Sequence, residues 1–177
     1  MRRAFLVHLR ADRKAEKSRA FSLVRTSKGL MSIQSSSFII LQVEDTPSDA
    51  ALTARALKAG DIPHSIYVVT GGEQALAFLT RRAGFGDAPR PDLVLLDLGL
   101  PGLTGHDVLN VIKHDDDLRS IPVVVFTTLD TEESQILACE RFANSYVVKP
   151  SDLSSFTGKI QAIVSYWFHT NRLKRAA

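Results

Sequence analysis

Five short apolar runs, at positions 38–43, 64–69, 93–96, 123–126 and 145–148, alternate along this chain with segments patterned for helix. Strands separated by helices of this length are parallel neighbours joined by crossovers, and such crossovers are almost always right-handed. The chain therefore has little choice but an α/β fold, a doubly wound five-stranded parallel sheet with five helices on its two faces. The run Leu93, Val94, Leu95, Leu96 carries no polar alternation, as a strand covered on both faces requires, so it takes the centre of the sheet.

The helices carry their own punctuation. Thr46 can cap the first, with Pro47 at its first position, Asp49 three residues after the cap, an inner face of Ala51, Leu52, Ala54 and Leu57, and Gly60 as a stop. A second spans 73–83 with Ala75, Leu76, Phe78 and Leu79 inward and Gly84 closing it; a third runs from His106 to His114; a fourth, over 131–142, starts at Thr131 and places Cys139 in the core. Ser151 caps the last, over 152–168, where Leu153, Phe156, Ile160, Ile163, Val164 and Trp167 recur at helical spacing. Trp167 and Phe168 suit either a core or a dimer seam.

Charge is unevenly placed. Residues 1–30 hold nine Lys or Arg against Asp12 and Glu16, whereas residues 31–177 hold thirteen against seventeen acids, so the net +3 hides a mildly acidic folded part. Nucleic-acid binding by that part is not expected. Residues 1–37 form a basic extension whose composition reads as a disordered tail ahead of Met31, which could itself begin a complete domain. Alternatives are a helix over 11–24, a basic arm for an acidic partner or anionic lipid, or a targeting segment. One cysteine excludes an internal disulfide. Neither a secretory signal nor an apolar stretch of about 18 residues is present, so a cytoplasmic protein without a membrane span is expected.

Four of the runs end at chemically useful residues: Glu44 and Asp45, Asp97, Thr127, and Lys149. In a parallel sheet these meet beyond the strand C-termini, where such folds bind ligands. Carboxylates gathered within about 4 Å repel by about 1 kcal/mol per pair even in water, and by several at an effective dielectric constant near 20, so a cation is called for. Oxygen ligands from Asp45, Asp97 and a backbone carbonyl suit Mg²⁺, whereas the five histidines are isolated, read as surface or helix-end residues, and make no zinc site with Cys139. Asp97, at the end of the buried central strand, is the candidate nucleophile, since carboxylates can accept phosphoryl groups. Lys149 would pair with one phosphoryl oxygen and Thr127 would donate a hydrogen bond to another. Each residue alone also reads as a turn residue, a strand end or a surface charge.

Taken together, the strings VEDTPSD, PDLVLLDLGLPGLTG, IPVVVFTT and YVVKP, in this order, resemble the receiver domain of two-component response regulators. The resemblance covers residues 38–168, with 169–177 left as a short basic tail. It implies a flavodoxin-like strand order 2-1-3-4-5 and a set of roles: Asp97 as phosphoacceptor, Asp45 as direct ligand of Mg²⁺ or Mn²⁺, Glu44 as the second acid that holds the ion through water, and Gly99 as the backbone carbonyl ligand. Thr127 is then the switch hydroxyl, Tyr146 the switch aromatic and Lys149 the phosphate-pairing lysine, with Pro150 behind it in a bond that the family commonly holds cis. Arrival of phosphate would draw in Thr127, turn Tyr146 inward and repack the face of the fourth helix, fifth strand and fifth helix.

The connecting segments GFGDAPRPD and HDDDLRSIPVVVFTT are similar to those of stand-alone receivers paired with bacterial phytochromes. The implied partners are a sensor histidine kinase, of phytochrome type, a downstream protein target or phosphotransfer protein, and a second copy in a homodimer. Two departures from the usual pattern stand out. Gly99 puts no side chain beside the phosphoryl group, which implies a short-lived phosphate, and Thr104 replaces the usual Asp before Gly105. The loss of a second acid two residues after Asp97 argues against an aspartyl phosphohydrolase; a phosphorylation-independent scaffold of the same fold is the remaining alternative.

Overall fold

The computed structural model describes residues 37–170, together with the backbone of residues 7–10, 21–25 and 31–35. Strand β1 is Phe38–Val43, β2 His64–Val69, β3 Leu93–Leu96, β4 Val123–Thr127 and β5 Ser145–Val148. Helices α1 (Pro47–Lys58), α2 (Gly72–Leu79), α3 (Gly105–His114), α4 (Glu132–Glu140) and α5 (Leu153–Ser165) follow them in turn, the last continuing into a π-helical turn over Tyr166–Thr170. The five strands are parallel in the order β2-β1-β3-β4-β5, the doubly wound flavodoxin-like arrangement expected. A sixth strand, Val7–Arg10, pairs antiparallel along the outer edge of β2, and Phe21–Arg25 pairs antiparallel with Met31–Ser35 in a separate two-stranded sheet. The last residues of the helix expected over 11–24 are therefore strand; its residues 11–20, and residues 171–177 of the basic tail, lie outside the described residues.

Side-chain alternation along the strands divides the core into two layers. Leu41, Val43, Leu96, Val94 and Val125 face α2, α3 and α4, packing with Phe78, Val108, Leu109 and Ile112. Ile40, Leu93, Leu95, Val124 and Phe126 face α1 and α5, packing with Leu57, Phe156, Ile160 and Val164. All four residues of β3 are buried, which is why that run shows no polar alternation. Each such aliphatic side chain contributes about 1.5–3 kcal/mol by leaving water, so this central strand is the least movable part of the sheet. Trp167 is buried in the α1–α5 layer, so it belongs to the core and not to a seam.

Several local expectations are corrected. Leu153 is about half exposed on the first turn of α5, which begins one residue later than expected, its cap being Asp152, whose side chain accepts from the Ser155 N–H. Cys139 is exposed on α4 rather than packed in the core. His64 is buried at the start of β2, its Nδ1 2.8 Å from the Ile62 carbonyl oxygen, so it is not a surface histidine. Helix α2 stops at Leu79, four residues short of the expected end, and Arg81 and Ala83 adopt positive φ beyond it.

Strand register brings the functional ends level. Val43 pairs with Leu96 and Val69, so Glu44 and Asp97 leave the sheet side by side; the Asp97 N–H donates to the Val43 carbonyl at 3.0 Å. Thr127 pairs with Val148, and the Lys149 N–H donates to the Thr127 carbonyl at 2.7 Å. Thr104 caps α3 in a reciprocal capping box with Asp107, which explains how Thr can stand at this turn in place of Asp. Behind it, Gly105 lies so close to β3 that a Cβ would overlap the Asp97 carbonyl oxygen and sit 2.6 Å from Leu98 Cα, so the turn needs glycine there for space.

Candidate functional site

Every residue singled out at the strand ends, except the exposed Gly99 and half-buried Tyr146, points into one small polar cluster at the C-terminal edge of the sheet. Carboxylate oxygens of Glu44, Asp45 and Asp97 lie within 4.8 Å of one another. Lys149 reaches into the cluster from the end of β5. Its Nζ donates to Glu44 Oε2 at 2.6 Å, to Asp97 Oδ2 at 2.6 Å and to Asp49 Oδ2 at 2.9 Å, and its side chain is only 3% exposed. An ammonium has three donors, and all three are spent on carboxylates.

Asp97 is held at both oxygens. Oδ1 accepts from the Thr127 hydroxyl at 2.7 Å and from the Gly99 N–H at 3.0 Å, while Oδ2 accepts from Lys149. Burial alone would push the Asp97 carboxyl up, but the bonds from Lys149, Gly99 and Thr127 outweigh it and hold it below its ordinary value. It is therefore ionised at neutral pH. Glu44, almost fully buried, goes the other way: burial raises it to about 7 despite the Lys149 bond, with the Asp97 charge adding to the rise. Lys149 is driven well above its ordinary value, since bonds to Asp97 and Glu44 more than offset the burial that would lower it.

Four carboxylates thus face one ammonium. Three of them converge on one point from two strand ends, present only oxygen, and have no Cys or His among them. That donor set fits a hard divalent cation such as Mg²⁺ or Mn²⁺ and does not suit zinc.

Tyr146 stands on β5, three residues before Lys149. Its hydroxyl donates to the Leu129 carbonyl at 2.8 Å and lies 3.2 Å from Ser134 Oγ, and the Leu129 N–H donates back to Thr127 Oγ1 at 3.3 Å. The phenol is thus connected to Asp97 through the loop after β4. The Lys149–Pro150 bond, whose isomer the sequence leaves open, is trans, as are all the described peptide bonds.

Two participants went unread in the sequence. The sequence pattern places Asp49 in the cap of α1, yet Thr46 makes no side-chain cap and the Asp49 carboxylate turns to Lys149. Its only signal was its place four residues after Asp45, one helical turn from the strand end. Ser134, buried on the first turn of α4, meets both Tyr146 and His106, the latter at 3.3 Å.

A match to the family described as the response regulator receiver domain covers residues 40–161. Response regulator Rcp1 of Synechocystis sp. is 39% identical over 138 residues, which is 78% of this chain and 94% of Rcp1. The crystal structure of the Mn²⁺-bound form of Rcp1 superposes with a TM-score of 0.74 over 77% of this chain and 99% of that one. The phosphorylated cyanobacterial phytochrome response regulator RcpA, 35% identical, superposes with a TM-score of 0.77 over 79% and 100%. Among the described residues, no helix is long and apolar enough to cross a membrane. This chain belongs to the response regulator receiver domain family.

Proposed function

We propose that this receiver takes a phosphoryl group from a phosphohistidine of a sensor histidine kinase onto Asp97, and that the acyl phosphate so formed changes the partner-binding face built by α4, β5 and α5. The observation that carries this reading is the setting of Asp97: an ionised carboxylate at the end of the buried central strand, bonded at 2.7 Å by Thr127 and at 2.6 Å by Lys149, with Glu44 and Asp45 alongside.

In the transfer, an Asp97 oxygen attacks phosphorus while the P–N bond to the donor imidazole breaks and its electron pair stays on that nitrogen. Lys149 exchanges a carboxylate for a phosphoryl oxygen, and Thr127 moves its hydrogen bond to another. Asp45, Asp97, the Gly99 carbonyl and, as the outer acid, Glu44 would hold Mg²⁺ or Mn²⁺, which supplies neutralisation of the charge spread over the phosphoryl oxygens. The hydrogen-bonded path from Thr127 through Leu129 to Tyr146 and Ser134 supports a switch read out on α4 and β5. Pro150 fixes the turn that follows Lys149. Gly99 sets no side chain beside the acceptor, where a Cβ would touch Asp97 Oδ1 at 3.7 Å, so water reaches the acyl phosphate and its lifetime is short.

The kinase is of phytochrome type on this reading, supported by likeness to RcpA. The protein acts in the cytoplasm as a signalling phosphoacceptor, with residues 38–168 as the switching unit, a downstream protein or phosphotransfer protein as its target, and pairing through the α4–β5–α5 face. Incubation with acetyl phosphate and Mg²⁺, read by intact mass, tests it. One phosphoryl group is gained by the wild type, and none by Asp97→Asn or in EDTA. Unchanged wild-type mass with acetyl phosphate and with a phosphorylated kinase alike would leave a phosphorylation-independent scaffold.

A further inference from the structure

Asp49 is the carboxylate of the Lys149 cage that the phosphoacceptor reading leaves without a role. It occupies the third position of α1, where an acid behind a threonine cap commonly returns its side chain to the cap backbone. Here that bond is not made, and Asp49 Oδ2 takes a hydrogen bond from Lys149 Nζ at 2.9 Å. The other two acceptors of that ammonium, Glu44 and Asp97, both belong to the trio whose oxygens converge for a cation, and Asp49 does not. A cation drawn to Glu44 and Asp97 competes for two of the three carboxylates that hold Lys149, and the Asp49 bond lies outside that competition.

Resting on the phosphoacceptor reading, we propose that Asp49 is a positioning residue that retains the Lys149 ammonium beside the site when Glu44 and Asp97 turn to the cation, and yields it when a phosphoryl group arrives. The two steps then depend on Asp49 with opposite sign. Its negative charge, and its acceptance of the displaced ammonium, favour cation binding. The same charge repels the incoming anion, and the same bond competes for the ammonium that the anion needs.

The opposite signs give the test. The full chain and its Asp49→Asn variant, which keeps size and an oxygen acceptor but loses the charge, are titrated by calorimetry with Mg²⁺ alone and then, at saturating Mg²⁺, with beryllofluoride as the phosphoryl mimic. The variant binds Mg²⁺ about three- to tenfold more weakly and beryllofluoride about three- to tenfold more tightly, the range expected for one partly screened unit charge. Asp49→Glu, which restores the charge, returns both constants toward the wild type. Two weakened constants with a lowered unfolding temperature would make Asp49 a packing residue of α1 and overturn the proposal. So would unchanged constants, or a Glu variant that behaves like Asn. Wild-type protein that binds neither ligand overturns the phosphoacceptor reading itself, and this inference falls with it.

Discussion

Lys149→Met keeps the aliphatic stem of the side chain and removes the one cation from a cluster of carboxylates. At 2.6 Å and an effective dielectric constant near 20, each of its two short pairs is worth about 6 kcal/mol of Coulomb attraction, most of it cancelled by desolvation of the ions. What remains when one partner of a buried ion pair is deleted is a loss of about 3–5 kcal/mol. Glu44, already raised to about 7, escapes part of this by taking a proton, so the lower end of that range applies near neutral pH. With a urea dependence of about 1.5 kcal/mol per molar, a loss of about 3 kcal/mol lowers the unfolding midpoint by about 2 M.

The distinguishing feature is rescue. A divalent cation placed among Glu44, Asp45 and Asp97 replaces the missing positive charge, so the gap between variant and wild type shrinks to about 1 kcal/mol or less at saturating Mg²⁺. Urea unfolding followed by circular dichroism, in EDTA and in Mg²⁺, measures both gaps. Equal destabilisation with and without Mg²⁺ would show that Lys149 serves packing and that the three carboxylates do not share a cation. No destabilisation in EDTA would refute the ion-pair geometry itself.

Two further outcomes follow from the site and its support. Because the folded Glu44 holds its proton to about 7 against an ordinary 4.5, its contribution to stability is full below about pH 4.5 and is lost as pH rises through 7; the stability of metal-free wild type minus that of Glu44→Gln therefore falls by up to about 3 kcal/mol between pH 5 and 8, and a flat or rising difference in urea titrations contradicts this. Gly105→Ala forces a methyl group against the Asp97 carbonyl oxygen and Leu98 Cα, both backbone, so it costs at least the usual 1–3 kcal/mol of overpacking, roughly, and weakens Mg²⁺ binding by displacing Asp97; unaltered stability would mean that the turn can give way.

The sheet was readable because its signal is periodic and local: β3 is apolar at every position since both of its faces are covered, and the polar residue that ends each run marks where the chain leaves the sheet. The site was readable for the same reason, as parallel strands deliver their last residues to one edge. Asp49 escaped because a local explanation, the capping box, fully accounted for it; only a contact one hundred residues away in the chain shows where its carboxylate goes. Leu153 and Cys139 escaped because helical spacing defines a stripe without saying where its edges fall, and both lie on helix surfaces that the sheet does not cover. His64 begins β2 in step with the buried Ile66 and Val68, so its burial follows the strand's alternation, which its polar residue type concealed. The antiparallel Val7–Arg10 strand was hidden by the basic composition around it.

The central claim is that Asp97, and no other carboxylate of the cluster, accepts the phosphoryl group. Borohydride reduces an acyl phosphate to the corresponding alcohol, so phosphorylated protein treated in this way and mapped by peptide mass spectrometry should carry homoserine at position 97 and unmodified Glu44, Asp45 and Asp49. Reduction at any of those three, or no reduced residue in protein whose mass shows a bound phosphoryl group, would contradict the account.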